Sequence, residues 1–328
     1  MTETGRRQAL VTAVAASLAP TIARAQGVEG WPNRPVTVIS PYPPGGGSDI
    51  VARAVARALQ EALRQPFVVE NRSGAAGSLG AAQVARARPD GYTMLVGGSS
   101  PIAANKLLYR NLSYDPERDF TPLSLVAEAP LAIIAHPSLP VRTLAEVIAY
   151  VRARPDEVAC ANAGSGSKGH LAVIMLSMLT GMKLSHIPYR GSTPAQTDLL
   201  SGTVKLGIDT ASIYVPHILS GALRGIAVTS SRRMARLPAV PTVAEQGIAG
   251  YEATVWYGAV APAGLPPAIA SRIAEIIDAW GKSAAGAAML EELGMAAIGG
   301  TPQDLARAVT QEIAIWRPIV EASGMVAD

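Results

Sequence analysis

The sequence predicts an α/β protein of two lobes, and three observations carry that prediction. A unit of strand, glycine-rich loop, helix, strand, arginine- and glycine-bearing loop, helix, strand and polar loop occurs twice, first from Pro35 and again from Glu157. Strands that alternate with helices in this way form parallel sheets with right-handed crossovers, so two such units imply two α/β lobes. The chain has 328 residues, 49% hydrophobic and 16% charged, which is enough apolar material for two cores. With only two Phe among many Ala and Gly, those cores must be built from aliphatic and small side chains.

In the first unit, the apolar run Pro35 to Ser40 reads as a strand, and Pro41-Tyr42-Pro43-Pro44-Gly45-Gly46-Gly47 ends it with turn residues. Ser48 is positioned to cap the following helix. Ile50, Val51, Ala54, Val55, Ala58 and Leu59 line one face of that helix, opposite Arg53, Arg57 and Gln60. A strand over 67–69 leads to the loop Glu70-Asn71-Arg72-Ser73-Gly74. A small-residue helix and the turn Pro89-Asp90-Gly91 precede a strand over 92–96 and the loop Gly97-Gly98-Ser99-Ser100.

The second unit repeats this order. A strand over 158–163 is followed by the turn Gly164-Ser165-Gly166-Ser167-Lys168-Gly169 and a helix over 170–179. A strand over 184–187 precedes the loop Pro188-Tyr189-Arg190-Gly191-Ser192. A helix through Leu199 and Leu200 stops at Gly202, a residue suited to a helix C-terminus, and a strand over 204–208 opens onto Asp209-Thr210-Ala211-Ser212. Between the units, Leu144, Val147, Ile148 and Val151 mark a helix. Beyond them, Ile269, Ile273, Ile276, Ile277 and Trp280 mark another. Thr301-Pro302-Gln303-Asp304 starts a last helix with a Thr cap, a proline at the first position and an acid in the first turn; it continues through Leu305, Val309, Ile313 and Trp316.

The first 25 residues have a different grammar. Arg6 and Arg7 precede the short uncharged run Ala9 to Ala19, and Ala23-Arg24-Ala25 fits a small-x-small cleavage site before Gln26, as in a secretory signal peptide. The paired arginines are compatible with the twin-arginine export route. Without this leader the chain has 25 basic and 24 acidic residues, a net +1 with the charges interspersed, so there is no electrostatic footprint for nucleic acid. The lone Cys160 allows no intrachain disulfide. The most apolar later stretch, Phe120 to Ala135, is interrupted by Glu128 and does not read as a membrane span.

In a parallel sheet, ligands bind beyond the carboxyl ends of the strands. The loops that two facing lobes would bring together there are rich in Gly and Ser and poor in ionisable groups. Gly45-Gly46-Gly47-Ser48 and Gly164 to Gly169 each lead into a helix and so offer free backbone N–H groups at the positive end of a dipole, a way to hold an anion without a buried cation. A tight turn with glycines at positive φ explains either loop alone. Their recurrence at equivalent places in both units favours a site for a ligand with a carboxylate at each end.

Enzymatic readings find less support. Gly164-Ser165-Gly166-Ser167-Lys168-Gly169 fits the dinucleotide pattern Gly-x-Gly-x-x-Gly, but no Asp or Glu occurs from 158 to 197 to hold a ribose. There is no Walker A motif and no nucleophile elbow. His136, His170, His186 and His217 lack metal spacing, and Cys160 reads as a buried small hydrophobe. Asp49 and Asp209 are candidate cleft acids, Asp49 also being a favourable charge in a helix first turn.

Trp31-Pro32-Asn33-Arg34-Pro35 followed by Pro41 to Asp49 resembles the opening of the Bug family, the extracytoplasmic receptors of tripartite tricarboxylate transporters. The resemblance continues through Val69 to Gly77, Pro89 to Thr93, Tyr114-Asp115-Pro116 with Asp119-Phe120, His186 to Gly191, Leu237 to Thr242 and Ala261 to Gly264. It implies a type II periplasmic-binding-protein fold with crossovers near 125 and 253. Lobe one would be 26–125 plus 253–328, and lobe two 126–252. It also implies a periplasmic, monomeric receptor without cofactor, metal or catalytic residue, which closes on a small carboxylate (a dicarboxylate, tricarboxylate, amino acid or aromatic acid) for delivery to membrane permease subunits. A ligand receptor for a sensor system and an enzyme on the same scaffold are the alternatives. The residues expected to bind ligand are Tyr42, Pro43, Gly46, Gly47, Ser48, Asp49, Arg72, Ala75, Gly77 and Ser99 from lobe one. From lobe two they are Ser165, Gly166, Ser167, Lys168, His170, Tyr189, Gly191 and Asp209. Gly47 stands where the family commonly has Ser or Thr, Ala76 where it has Gly and Ile102 where it often has His; Lys168 adds a positive charge. The ligand therefore cannot be carried over from any one relative.

Overall fold

A computed structural model describes residues 30–327; the expected leader lies outside them. Along the chain run β1 (Val36–Ser40), α1 (Gly47–Leu63), β2 (Phe67–Asn71), α2 (Ser78–Ala85), β3 (Thr93–Gly98), α3 (Asn105–Leu108) and β4 (Phe120–Ala135). They are followed by α4 (Leu144–Arg152), β5 (Ala159–Asn162), α5 (Lys168–Thr180), β6 (Ser185–Pro188), α6 (Ser192–Ser201), β7 (Leu206–Thr210), α7 (Val215–Leu219) and β8 (Arg224–Val228). The last elements are β9 (Thr254–Pro262), α8 (Pro267–Lys282), α9 (Ala284–Glu292), β10 (Ala296–Ala297) and α10 (Pro302–Ser323).

The repeated unit folds as a repeated unit. β1 pairs parallel with β2 and β3, and β5 pairs parallel with β6 and β7. Each triplet lies in a lobe with its own core. Ile39, Leu95, Trp256, Leu305 and Ile313 pack together in the first lobe, and Ala161, Leu199, Tyr214 and Leu237 in the second.

The strand β4 joins the two. Its residues 120–130 pair antiparallel with β9, while 131–135 pair antiparallel with β7 on one side and β8 on the other. β4 coincides with the most apolar stretch of the chain after the first 25 residues. It is a strand buried along most of its length, which explains its near-continuous apolar run. Glu128 accepts a hydrogen bond from the Thr254 hydroxyl within the β4–β9 ladder. The strand partners of β4 change between Pro130 and Leu131. The chain returns to the first lobe between β8 and β9.

Several boundaries differ from the pattern-based expectation. Gly46, not Ser48, is the cap residue of α1, without a side-chain cap bond, and Ser48 lies inside the first turn, where its hydroxyl accepts from Gly98 N at 3.3 Å. Gly97 and Gly98 belong to β3, and a π-helical turn over Ser100–Ala104 follows. Asp209 and Thr210 end β7 and are not yet loop, because they still pair with Ala132 and Leu131 of β4. The start of α10 matches its expected chemistry: Thr301 and Asp304 form a reciprocal capping box with Pro302 in the first turn.

Candidate functional site

The residues that begin α1 and α5 meet across one cavity. Its wall includes Gly46, Gly47 and Ser48 from the first lobe and Ser167, Lys168 and Gly169 from the second, with Tyr42, Pro43, Ser100, Ser192, Asp209, Thr210, Val255 and Tyr257 around them. It contains about 470 Å³ of atom-free space, counting the part open to solvent. Tyr42 also faces a larger adjoining chamber of about 1050 Å³, lined by Ala75, Gly77, Ser165, Tyr189, Arg190 and others.

Glycine is demanded by contact at both helix starts. A Cβ on Gly47 would lie 2.2 Å from the Tyr257 hydroxyl, and one on Gly169 would lie 2.3 Å from the Ile208 carbonyl oxygen. The absence of side chains lets each helix start approach strands of the sheet and leaves its amides, which lack intrahelical acceptors, beside the cavity.

The loop before α1 is built on an ionised carboxylate. Asp49 Oδ2 accepts from Gly45 N at 3.0 Å and from Arg53 Nε at 3.0 Å, and Oδ1 accepts from Asn71 Nδ2 at 2.8 Å. Burial pushes the Asp49 pKa up, but Arg53 and the Gly45 and Asn71 donors outweigh it, and the net direction is down. Expected as a ligand contact, Asp49 is instead turned behind the loop, because its oxygens are taken up by these donors.

The loop before α5 is built on neutral groups. Asn162 Oδ1 accepts from Gly164 N at 3.0 Å and from the Ser167 hydroxyl at 3.4 Å, and it contacts His186 Nε2 at 3.0 Å. His170 stacks on His186 with ring centroids 3.6 Å apart, and its Nδ1 accepts from Gly166 N at 3.2 Å. Burial, and for His170 also the neighbouring imidazole, depress these rings to about 3 and about 4, so both are neutral near pH 7. Expected in the cleft, His170 braces the loop from behind.

Asp209 stands on the cavity wall and is 2% exposed. Its Oδ1 accepts from Thr210 N at 2.7 Å, while Oδ2 has no hydrogen-bond partner. Burial raises its pKa to about 6; the backbone bond from Thr210 and the nearby Ser192 and Tyr214 hydroxyls restrain the rise. Neither hydroxyl reaches Oδ2 in hydrogen-bond geometry, and the buried Tyr214 hydroxyl is itself unpartnered. An unsatisfied buried carboxylate oxygen on a cavity wall is a costly feature unless something in the cavity meets it.

Of the remaining expected residues, Arg72 is exposed and pairs with Glu70 at 3.0 Å, away from both cavities. Ser99 is fully buried behind the wall, and Ser100 takes the lining position because β3 extends through Gly98. Lys168 lines the wall, but its ammonium forms a buried ion pair with Glu312. The Tyr189 hydroxyl donates to Asp198 at 2.6 Å, and Tyr189 lines the outer chamber. Gly166 packs near Ala76 and Tyr109, and Gly191 packs against Pro43; both are contacts between the lobes. The Thr193 hydroxyl adds a hydrogen bond to the Pro44 carbonyl at 3.0 Å.

Sequence reasoning did not find Val255 and Tyr257, which come from β9, outside the repeated unit. Their two-residue spacing on one strand face is the signal that was available. Glu312 was also missed, although it interrupts the apolar stripe Leu305, Val309, Ile313, Trp316 of α10. Among the described residues there is no cluster of three potential metal ligands, and no helix is long and apolar enough to cross a membrane.

Residues 51–325 match the family described as tripartite tricarboxylate transporter family receptor. The chain is 38% identical to Protein BugT of Bordetella pertussis over 304 residues, 92% of this chain and 93% of that protein. Its fold superposes on R. palustris Rpa4515 with adipate at a TM-score of 0.87 and 38% identity, covering 90% of this chain and 99% of the other. It superposes on MatC from Rhodopseudomonas palustris with bound malate at 0.84 and 32%, covering 88% and 99%. The family match spans nearly the whole chain and the relatives align along almost their full length; the chain therefore belongs to the tripartite tricarboxylate transporter receptors, the Bug-type periplasmic solute-binding proteins.

Proposed function

We propose that this receptor captures a small carboxylate in the cavity between the starts of α1 and α5, by closure of its lobes, and delivers it to the permease subunits of a tripartite transporter without making or breaking a bond. The observation that carries this reading is the pairing of two glycine-bearing helix starts on one small cavity wall. Unpaired amides at a helix N-terminus hold an anion by fixed dipoles, and in a site shielded from water each such contact strengthens. Adipate and malate, named with the two structural relatives, are of the same chemical class.

In this reading the ligand meets Tyr42, Pro43, Gly46, Gly47, Ser48, Ser167, the backbone amide of Lys168, Gly169 and Asp209 in the inner cavity, and Ala75, Gly77, Ser165 and Tyr189 in the outer chamber. Residues 1–25 act as an export leader, the mature chain works as a monomer, and the lobes divide as 26–125 plus 253–328 and 126–252. The test is a thermal-shift screen of protein stripped of ligand by unfolding and refolding, against small carboxylates and their amides. A ligand at a hundredfold excess over its Kd stabilises the folded state by about 2.7 kcal/mol, an easily measured rise in Tm. A saturable shift confined to carboxylates, with the compound recovered unchanged, is the expected result. Consumption of the compound, or shifts from the amides alone, overturns the reading.

A further inference from the structure

Among the described residues on the wall of the inner cavity, Lys168 is the one cation and Asp209 the one carboxylate. Lys168 is also the first residue of α5, where a positive charge opposes the positive end of the helix dipole. A lysine in this place therefore calls for a compensating partner, and the structure supplies one from the other lobe. The ammonium pairs with the Glu312 carboxylate of α10 and lies 4.6 Å from the centre of the Trp316 ring. Trp256 Nε1 donates to the other Glu312 oxygen at 3.3 Å. The two charged side chains are only 4% and 7% exposed, so solvent does not share in the pairing. α10 contributes Leu305, Val309 and Ile313 to the first-lobe core, so the pair ties the start of α5 to the first lobe.

We propose that Glu312 is a positioning and specificity-determining residue: by holding the Lys168 ammonium against α10, it withdraws the cation of the cavity wall from the ligand and leaves the amides of the two helix starts to balance a single carboxylate. The inference rests on the carboxylate-capture reading above. A buried pair satisfied on both sides presents little net charge to its surroundings, whereas removal of one partner leaves the other seeking a counter-ion. The Glu128 carboxylate of β4 also acts on this ammonium, and the cavity that Lys168 lines is where a counter-ion from outside the protein can reach it. Glu312 thus limits how much negative charge the site accepts, and Asp209 on the same wall opposes a second carboxylate further.

The test compares succinate with butyrate, which have the same four carbons and two or one carboxylates, by isothermal titration of the refolded chain. Glu312→Gln frees the ammonium and shifts the ratio of Kd values toward succinate by about tenfold or more, the scale of one new charge-assisted hydrogen bond. The double variant Lys168→Gln with Glu312→Gln removes both charges while keeping the shapes, and its ratio stays within about threefold of the parent value. Equal weakening of both ligands in Glu312→Gln, with the ratio unchanged, reduces the pair to a brace and overturns the proposal. So does a double variant whose preference for succinate falls about tenfold below the parent, because Lys168 would then already contact the ligand. If Glu312→Gln does not fold, the double variant decides alone. If the parent protein binds neither compound, the wider carboxylate screen above decides the carboxylate reading, and amine acylation read by peptide mass spectrometry still tests this one. Lys168 is expected to react at least about tenfold more slowly than the exposed Lys183 and Lys205, as a buried, paired amine does. Equal rates overturn the proposal.

Discussion

The loop before α1 and the loop before α5 hold equivalent places in the two lobes, yet they are held in shape by opposite means. The first wraps its backbone around an ionised Asp49, with Arg53 and Asn71 completing the shell. The second gathers around the neutral Asn162 and a stacked pair of uncharged imidazoles. Both present a glycine in the first helical turn to the same cavity. The geometry of the helix start is thus the repeated property, and the groups that support it are interchangeable so long as every donor finds an acceptor. The electrostatic consequence is not interchangeable. The Asp49 carboxylate depends on its charge, whereas the imidazoles must stay uncharged.

The strongest way to break this comparison is steric. An alanine methyl at Gly169 meets a backbone carbonyl and the Asn162 Cβ, neither of which can move without disturbing β5 and β7. Gly169→Ala is expected to cost about 3 kcal/mol, the upper part of the range for overpacking, and to abolish ligand-induced stabilisation. At Gly47 the methyl meets the end of the Tyr257 side chain, which can shift into the cavity. Gly47→Ala should therefore cost about 1 kcal/mol in denaturant unfolding yet also abolish binding, because the displaced ring occupies the ligand's space. Equal losses of stability at the two positions would remove the distinction between a backbone and a side-chain neighbour.

A pH titration sharpens the electrostatic difference. His170 and His186 sit below the ordinary value of 6.5, at about 3 and about 4, so between those values and 6.5 the unfolded chain binds more protons and stability falls as pH falls. Asp209 has the opposite sign: its value of about 6 lies above the ordinary 3.8, so its contribution is present below 3.8 and is lost as pH rises through about 6. Asp49 matters only in stronger acid, where stability present above 3.8 is lost as its lowered pKa is reached. The Tm should fall as pH drops from 6.5 to 4. In the double variant His170→Gln with His186→Gln that fall should vanish, leaving the rise due to Asp209. A double variant with the parent profile would locate the acid sensitivity elsewhere.

The smallest expected effect concerns Ser48. Its hydroxyl accepts from Gly98 N across the buried junction of α1 and β3 at 3.3 Å, a long bond. Ser48→Ala should cost about 0.5–1 kcal/mol by chemical denaturation, and a loss of several kcal/mol would mean that the hydroxyl does more than accept this one bond.

Much of the architecture was legible because the apolar patterns of the repeated unit are strong and local. Glycines and prolines punctuate every turn, and the Thr301 to Asp304 box is a chemical statement about one helix start. The boundaries that failed did so for tertiary reasons. Gly97, Gly98, Asp209 and Thr210 look like loop residues, but they extend strands because β9 and β4 offer them partners. In the site, the places of Gly46 and Gly47 on the cavity wall follow from the loop before α1, while the side-chain partners of Asp49, His170 and Lys168 do not follow from the pattern. Their partners are Asn71, His186 and Glu312, and no spacing rule announces a contact across 22, 16 or 144 positions. The β9 contribution lies outside the repeated unit, so the repeat does not predict it.

The strand β4 has a consequence for how the molecule comes apart. It is a structural member of both sheets, hydrogen-bonded to β9 and β10 along one stretch and to β7 and β8 along the next. Neither half can melt while leaving the other's edge intact, so heat or denaturant should take the protein through one cooperative transition. Either half expressed alone would carry a torn strip of apolar backbone with unpaired N–H and C=O groups, the kind of edge that recruits other chains. The bar that allows two lobes to work as one receptor is also what prevents them from surviving as two proteins.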